Sequence, residues 1–242
     1  MPAFERDGVS LYYEEFGSGF PVLLFAPGSL FSSIDYWRRP SSPFDPTVAL
    51  AQDFRVIAMD QRNAGKSRAP ITAQDGWHTY AADHVALLDH LGIERCHLLG
   101  QCIGGPFILK LLEVAPQRVV SAVVLQPIGR IGPLAPGHSP IFEQWCASLQ
   151  DHPEATPAVL DAFYRNLYAP EFVYAVSREF AASCRTPMVV LPGNDQAHPF
   201  VIGEELAKLA PNAEYIPEWK EGAAKEAAIK RLHAFLLEHT PG

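Results

Sequence analysis

The sequence lacks the features by which proteins commonly bind nucleic acids and membranes. Acidic residues outnumber basic residues by 27 to 19, the formal net charge is −8, and no run of basic residues occurs. This charge disfavours binding to nucleic acid or to an anionic membrane. No apolar stretch approaches the roughly 18 residues that span a bilayer, and the polar residues 1–7 lack the apolar centre of a signal peptide. We therefore expect no nucleic-acid partner and no membrane association.

Metal-binding patterns are absent as well. The nine histidines form neither an H-x-x-x-H nor an HExxH pattern, and patterns of this kind place two imidazoles on one helix face. The expectation is a protein with no metal site and no other cofactor.

Cysteine is scarce, and its spacing does not indicate disulfides. No CxxC pair occurs among the four cysteines, which are Cys96, Cys102, Cys146 and Cys184. The first two are predicted to lie along one strand and the turn after it, too far apart for an undistorted disulfide. Reduced thiols are typical of intracellular proteins, so a cytoplasmic location is expected.

Short segments that are apolar throughout are abundant, and they alternate with segments of helical periodicity. Strands buried on both faces of a parallel sheet have this continuous apolar character. The alternation therefore predicts an α/β fold with a mostly parallel sheet and helices on both faces. The predicted buried strands are residues 21–25, 54–59, 95–99, 119–125, 187–191 and 213–216.

The alternation stops between Ile128 and Arg185, where no strand pattern is found. Three helix-like stretches rich in aromatic residues follow one another there, at 140–149, 157–168 and 170–183. We expect residues 128–185 to form a helical cap inserted into a core made of residues 1–127 and 186–242. Trp145, Tyr168 and Phe172 are candidates for a largely apolar substrate pocket. Alternatively, these aromatic side chains only pack the cap helices together.

The best candidate for a reactive group is Cys102, at the junction between a predicted strand and a predicted helix. Gly100-x-Cys102-x-Gly104 has the spacing of the nucleophile elbow G-x-S-x-G, with cysteine in place of serine. In such a turn the nucleophile's backbone is strained, and side chains at the two glycine positions would collide with neighbouring chain. The N-terminus of the following helix favours a thiolate. The alternative is an ordinary glycine-rich turn with a buried cysteine.

Two further motifs follow predicted strands, and with the elbow they resemble the α/β-hydrolase superfamily. Residues 26–29, Ala-Pro-Gly-Ser, stand where the family has His-Gly, and residues 60–67 resemble its D-x-R-G-x-G-x-S motif, with Asn63 replacing the first glycine. The elbow is similar to that of dienelactone hydrolase, a cysteine-nucleophile variant. The D-x-R loop and the cap resemble the esterase, lactonase and epoxide-hydrolase branch. The resemblance implies the α/β-hydrolase fold, with an eight-stranded sheet and a cap.

The resemblance also implies roles for particular residues. Backbone N–H groups of Ser29 and Ile103 would form the oxyanion hole. Asp195 follows the penultimate strand, where the family has its catalytic acid, although an Asx-turn role is the alternative.

The family's histidine is missing from the loop after the last strand, residues 217–222. His198, three residues after Asp195, is the only histidine close to a motif position. It is a candidate base for Cys102, or else it holds the Asp195 loop in place.

Three functions remain open at this stage. The first is hydrolysis of a small ester, lactone or related acyl compound through an acyl-enzyme on Cys102. The second is an acyltransferase or lyase, because no obvious base activates water, whereas a cysteine nucleophile depends less on a base. The third is a ligand-binding member that has lost catalysis. A small molecule is the expected partner in each case, while the substrate, the general base and the oligomeric state, a homodimer included, are left open.

Overall fold

Eight strands form one sheet at the centre of the protein. In the computed structural model, which describes residues 3–40 and 42–242, the strands are β1 (Ala3–Arg6), β2 (Val9–Phe16), β3 (Phe20–Phe25), β4 (Phe54–Met59), β5 (Cys96–Gln101), β6 (Val119–Leu125), β7 (Met188–Leu191) and β8 (Ala213–Tyr215). Their order in the sheet is β1-β2-β4-β3-β5-β6-β7-β8. The β1–β2 and β2–β4 pairs are antiparallel, and the other pairs are parallel. The predicted fold class is therefore confirmed.

Eight α-helices accompany the sheet in the described part of the chain. They are α1 (Pro46–Ala49), α2 (Trp77–His90), α3 (Gly104–Val114), α4 (Pro140–Ala147), α5 (Pro157–Tyr168), α6 (Arg178–Ser183), α7 (Phe200–Leu209) and α8 (Gly222–Glu238). Within the ranges 3–40 and 42–242, no helix combines the length and the apolar character needed to cross a membrane.

The core lies on both faces of the sheet. Leu23 and Phe25 of β3 belong to the apolar cluster that includes α2 and α3, whereas Val22 and Leu24 belong to the cluster that includes α8. Successive side chains of a strand point to opposite faces, so an apolar residue is needed at every position of β3. This double burial explains the continuous apolar runs in the sequence.

The segment between β6 and β7 contains α4, α5 and α6, and one predicted helix in it is wrong over half its length. The expected helix 170–183 begins only at Arg178. Phe172 and Tyr174 have φ angles of 65° and 61°, which a right-handed helix excludes. Backbone hydrogen bonds of 2.7 and 2.8 Å join Phe172 to Arg130 in a short antiparallel bridge. This long-range pairing satisfies backbone groups that a helix would otherwise pair locally.

Candidate active site

Cys102 lies in a strained turn between β5 and α3. Its φ angle is 60°, a left-handed conformation that is unusual for a residue other than glycine. The turn is tied down on both sides, because Cys102 N–H donates to Leu125 O at 3.0 Å and Cys102 O accepts from Gly105 and Ile128 N–H at 3.1 and 3.2 Å. Strain of this kind persists only where the surroundings enforce it.

Both glycines of the elbow are sterically required. A Cβ atom on Gly104 would lie 2.5 Å from the Phe25 carbonyl oxygen, and one on Gly100 would lie 2.8 Å from the Gly104 carbonyl oxygen. Both distances are shorter than van der Waals contact, and both partners are backbone atoms that cannot rotate away. The steric reason given for the glycine spacing is therefore confirmed.

Asp195 and His198 interact within the loop that follows β7. The imidazole Nδ1 of His198 lies 2.9 and 3.0 Å from the two carboxylate oxygens of Asp195. Asp195 Oδ1 also accepts the backbone N–H groups of Ala197 and His198, each at 2.9 Å. Asp195 thus closes an Asx-type turn and orients the histidine at once, so its two predicted roles are compatible. Because Nδ1 donates to the carboxylate, Nε2 is left without the proton when the ring is neutral.

The His198 ring acts on the Cys102 thiol. Within residues 3–40 and 42–242, Nε2 is buried and has no well-aligned hydrogen-bond partner. Burial alone would raise the pKa of Cys102, but the neighbouring His198 ring and the N–H groups of Gly28 and Ile103 lower it below its ordinary value. Burial would lower the pKa of His198, yet Cys102 and Asp195 raise it overall. Each group therefore shifts the pKa of the other in the direction that favours the charged form.

The loop in which the family's histidine was sought packs against the Asp195 loop instead. Trp219 is buried, and its Nε1–H donates to Pro192 O at 2.8 Å. Lys220 Nζ donates to Asn194 Oδ1 at 2.5 Å and lies 3.9 Å from Asp195 Oδ2. The loop after the last strand thus packs against the Asp195 loop and places a lysine, rather than a histidine, beside it.

The backbone N–H groups of Gly28 and Ile103 contribute to the lowered pKa of the Cys102 thiol. The oxyanion-hole donors expected from the sequence are Ser29 and Ile103, and that assignment stays a prediction. Ser29 begins the 3-10 turn Ser29–Phe31 with a φ angle of 54°, and its hydroxyl lies 3.5 Å from the Tyr168 hydroxyl. Gly28 has a φ angle of 116°, and a Cβ atom at this position would lie 2.6 Å from the Tyr36 ring. This close approach is visible only in the folded chain.

One cavity of about 540 Å³ reaches Cys102, and core loops line it. No cap residue is found among its described lining residues, which are Pro27, Gly28, Tyr36, Pro40, Ser42, Pro43, Gln101, Cys102, Gln126, Asp195, His198, Trp219, Lys220 and Lys225. Of the three cap aromatics expected at the substrate pocket, Tyr168 alone lies beside the site, through Ser29.

Trp145 and Phe172 are buried in the apolar cluster that includes α2 and α3, and neither lines this cavity. Both are about 1% exposed, and Trp145 Nε1–H donates to Asn63 O at 3.1 Å. Their placement fits the alternative interpretation, in which the cap aromatics pack the helices together. Across residues 3–40 and 42–242, no group of three or more His, Cys, Asp or Glu side chains is arranged to hold a metal ion.

Comparison with known proteins gives the family. The model of the family described as "alpha/beta hydrolase fold" matches residues 21–215. The chain belongs to the α/β-hydrolase family. RutD of Stutzerimonas stutzeri is 36% identical over 103 residues, which is 43% of this chain. The alignment spans only 36% of that relative's length.

Two other proteins are similar to this α/β-hydrolase over nearly its whole length. The 2-hydroxymuconate semialdehyde hydrolase of Pseudomonas sp. CF600 is 27% identical over 241 residues, 96% of this chain and 73% of the relative. Among solved structures, Est816, an N-acyl homoserine lactone degrading enzyme, superposes with a TM-score of 0.68 at 24% identity and covers 97% of this chain and 100% of its own. At this identity the structural likeness shows the fold.

The D-x-R loop of this α/β-hydrolase supports the site without lining the cavity. Asp60 accepts the backbone N–H groups of Ile34 and Lys66, each at 2.8 Å. Arg62 forms two hydrogen bonds with Asp83 of α2, at 2.7 and 3.0 Å. Asn63, which replaces the family's glycine, has a φ angle of 57°, and asparagine tolerates this conformation better than most residues. The motif is therefore structural in this chain.

The shifted thiol pKa of this α/β-hydrolase leads to a direct prediction. An ordinary thiol has a pKa of about 8.5. Cys102 is expected to react with iodoacetamide already below this pH, because its lowered pKa leaves thiolate present there. The other thiols serve as internal controls, since burial raises the pKa of Cys96 to about 12 and that of Cys146 to about 11. Peptide mapping of adducts between pH 5 and pH 10 provides the measurement. A Cys102 profile that follows the Cys146 profile would contradict the expectation.

Proposed function

We propose that the protein hydrolyses a small ester, lactone or related acyl compound through a thioester on Cys102. The observation that carries the proposal is the buried, unpartnered Nε2 of His198 in the cavity of Cys102, with Nδ1 held by Asp195. A nucleophile beside a base that a third group orients is the general arrangement for covalent catalysis. Residues from the elbow and from the loop after β7 supply all three groups.

The first half of the reaction forms the thioester. The Cys102 thiolate attacks the acyl carbon, and the carbonyl electron pair moves onto oxygen. Backbone N–H groups near the sulfur, that of Ile103 and one from Gly28 or Ser29, stabilise the resulting oxyanion. The carbonyl re-forms as the bond to the leaving oxygen breaks, and His198 gives its Nε2 proton to that oxygen.

The second half releases the acid. A water molecule in the cavity gives a proton to His198 Nε2 as its oxygen attacks the thioester carbon. The tetrahedral adduct collapses with departure of the Cys102 thiolate, and the imidazolium remains beside it. The cycle ends in the ion pair from which it began, and one water is consumed for each acyl group.

The placement of His198 favours hydrolysis over the other two functions. The acyltransferase or lyase alternative was motivated by the lack of a base to activate water, and His198 supplies such a base from a different loop. The non-catalytic alternative is disfavoured by the lowered thiol pKa. The activities of two similar proteins, a semialdehyde hydrolase and a lactone degrading enzyme, support a small acyl or carbonyl substrate.

Hydrolysis of 4-nitrophenyl acetate tests the proposal directly. The Cys102→Ala variant is expected to lose at least about 10⁴-fold in kcat/KM, because it lacks the nucleophile. Intact mass should show an added acetyl group on the native protein and none on the variant. Cys146→Ala is the matched control, since this thiol does not line the described cavity, and it should retain full activity. Equal rates for native protein and Cys102→Ala would refute the proposal.

A further inference from the structure

The cavity at Cys102 has a charge opposite to that of the whole protein. The chain carries a formal net charge of −8, yet the described lining residues include two lysines and one carboxylate, besides Cys102 and His198. The lysines are Lys220 and Lys225, and the carboxylate is that of Asp195. One net positive charge therefore remains in the cavity. Proton transfer from Cys102 to His198 does not alter this balance.

Lys220 is held at the edge of the cavity by the Asp195 loop. Its Nζ donates to Asn194 Oδ1 at 2.5 Å and stays 3.9 Å from Asp195 Oδ2. Asp195 itself accepts three N–H groups from its own loop. The Asp195 carboxylate thus interacts mainly with His198 and the backbone of the turn, and it neutralises the charge of Lys220 incompletely.

Lys225, in the first turn of α8, is the less committed cation. Its side chain lines the cavity and is partly buried. No carboxylate among residues 3–40 and 42–242 forms an ion pair with it, in contrast to Lys110, Lys208 and Lys220. The nearby exposed glutamates Glu218 and Glu221 do not line the cavity. An ammonium group in the lining of a cavity, without a carboxylate partner, is suited to binding an anion.

We propose that the cavity selects acyl compounds that carry a free carboxylate, which Lys225 binds with support from Lys220. This inference rests on the proposed function for its reaction and adds the class of substrate. A single excess positive charge matches a carboxylate monoanion, whereas a phosphate monoester would bring about −1.5 to −2 charges. The Gln101 and Gln126 amides in the same lining supply neutral polar groups around the chain that links the carboxylate to the reacting carbonyl.

A pair of esters with the same acyl chain tests the proposal. Mono-4-nitrophenyl adipate carries a free carboxylate, and methyl 4-nitrophenyl adipate has the same chain without the charge. The native protein is expected to prefer the charged ester by about tenfold in kcat/KM at low salt, since a charge-assisted hydrogen bond to a partly exposed lysine is of this order. Because the Debye length falls to about 3 Å at 1 M salt, the preference should shrink there.

Substitution of the lysine separates charge recognition from catalysis. Lys225→Gln is expected to abolish the preference, because it should lower kcat/KM for the charged ester about tenfold more than kcat/KM for the neutral ester. Lys230→Gln is the matched control on the same helix, because Lys230 faces a different pocket. A native protein with no preference for the charged ester, or a Lys225→Gln variant that keeps the preference, would overturn the inference and leave the proposed function intact.

A binding measurement keeps the two proposals distinguishable. If neither ester is turned over, the proposed hydrolysis fails, and protection of Cys102 from iodoacetamide by monomethyl adipate, a carboxylate monoanion, then decides the present inference. Protection by millimolar monomethyl adipate that is lost in Lys225→Gln supports it. Equal alkylation rates with and without monomethyl adipate overturn it.

Discussion

Replacement of His198 by glutamine is expected to lower kcat/KM for an activated ester by about 10³-fold, within the range typical of a general acid–base group. Glutamine keeps a polar side chain of similar length but cannot take up a proton. Two effects combine, since the variant also loses the interaction that lowers the pKa of the Cys102 thiol. The alkylation profile of Cys102 should therefore move to higher pH. Steady-state rates and iodoacetamide labelling between pH 5 and pH 10 measure the two effects separately.

The same variant should change which step is slow. Attack of water on the thioester needs a base more than attack by a thiolate does, so acyl-enzyme should accumulate in His198→Gln and be visible by intact mass. His233→Gln is the control, because His233 pairs with Asp53 at 2.9 Å and lies outside the lining of the cavity. A loss of less than about tenfold in His198→Gln would exclude a catalytic role for His198.

Removal of Arg62 is expected to destabilise the fold strongly. The Arg62 and Asp83 side chains are 8% and 11% exposed and share two hydrogen bonds. Burial alone would lower the pKa of Arg62, but Asp83 raises it overall, so the guanidinium is charged. Arg62→Met leaves the carboxylate buried without its partner, at a cost of about 3–5 kcal/mol in the free energy of unfolding. Thermal unfolding should shift down by about 10 °C.

The pH dependence and two controls identify the cause. Burial raises the pKa of Asp83, so the variant should regain part of its stability as the pH falls and the unpaired carboxyl takes up a proton. The double variant Arg62→Met/Asp83→Leu should recover most of the loss, because it removes the carboxylate that Arg62→Met leaves without its main partner. The second carboxylate near Arg62, that of Asp75 at 3.8 Å, keeps its hydrogen bonds with Thr72 and Thr79. Arg165→Met removes an exposed ion pair with Asp161 and should change stability by less than about 1 kcal/mol. Equal losses in the single and double variants would contradict the explanation.

The order of the elements and the position of the elbow were readable from the sequence because both depend on local rules. The largely apolar runs 54–59 and 119–125 correspond residue for residue to β4 and β6, since a strand buried on both faces is apolar at nearly every position. The exceptions are Arg55, which pairs with Glu15, and Ser121, which hydrogen-bonds His97. The glycines beside Cys102 were readable for a similar reason, because collisions within a few residues exclude any side chain there.

The placement of His198 and the lining of the cavity required the tertiary structure, because both depend on contacts between residues far apart in the chain. From the sequence, His198 is a candidate base only because the loop 217–222 contains no histidine. The folded structure brings the loop after β7 to the end of β5, so that His198 and Cys102 line the same cavity. Phe172 was expected at the pocket but is drawn into a bridge with Arg130. Lys225, which has no motif around it, enters the cavity because α8 begins beside the Asp195 loop. Periodicity predicts which face of an element is buried, but it does not predict which other element that face meets.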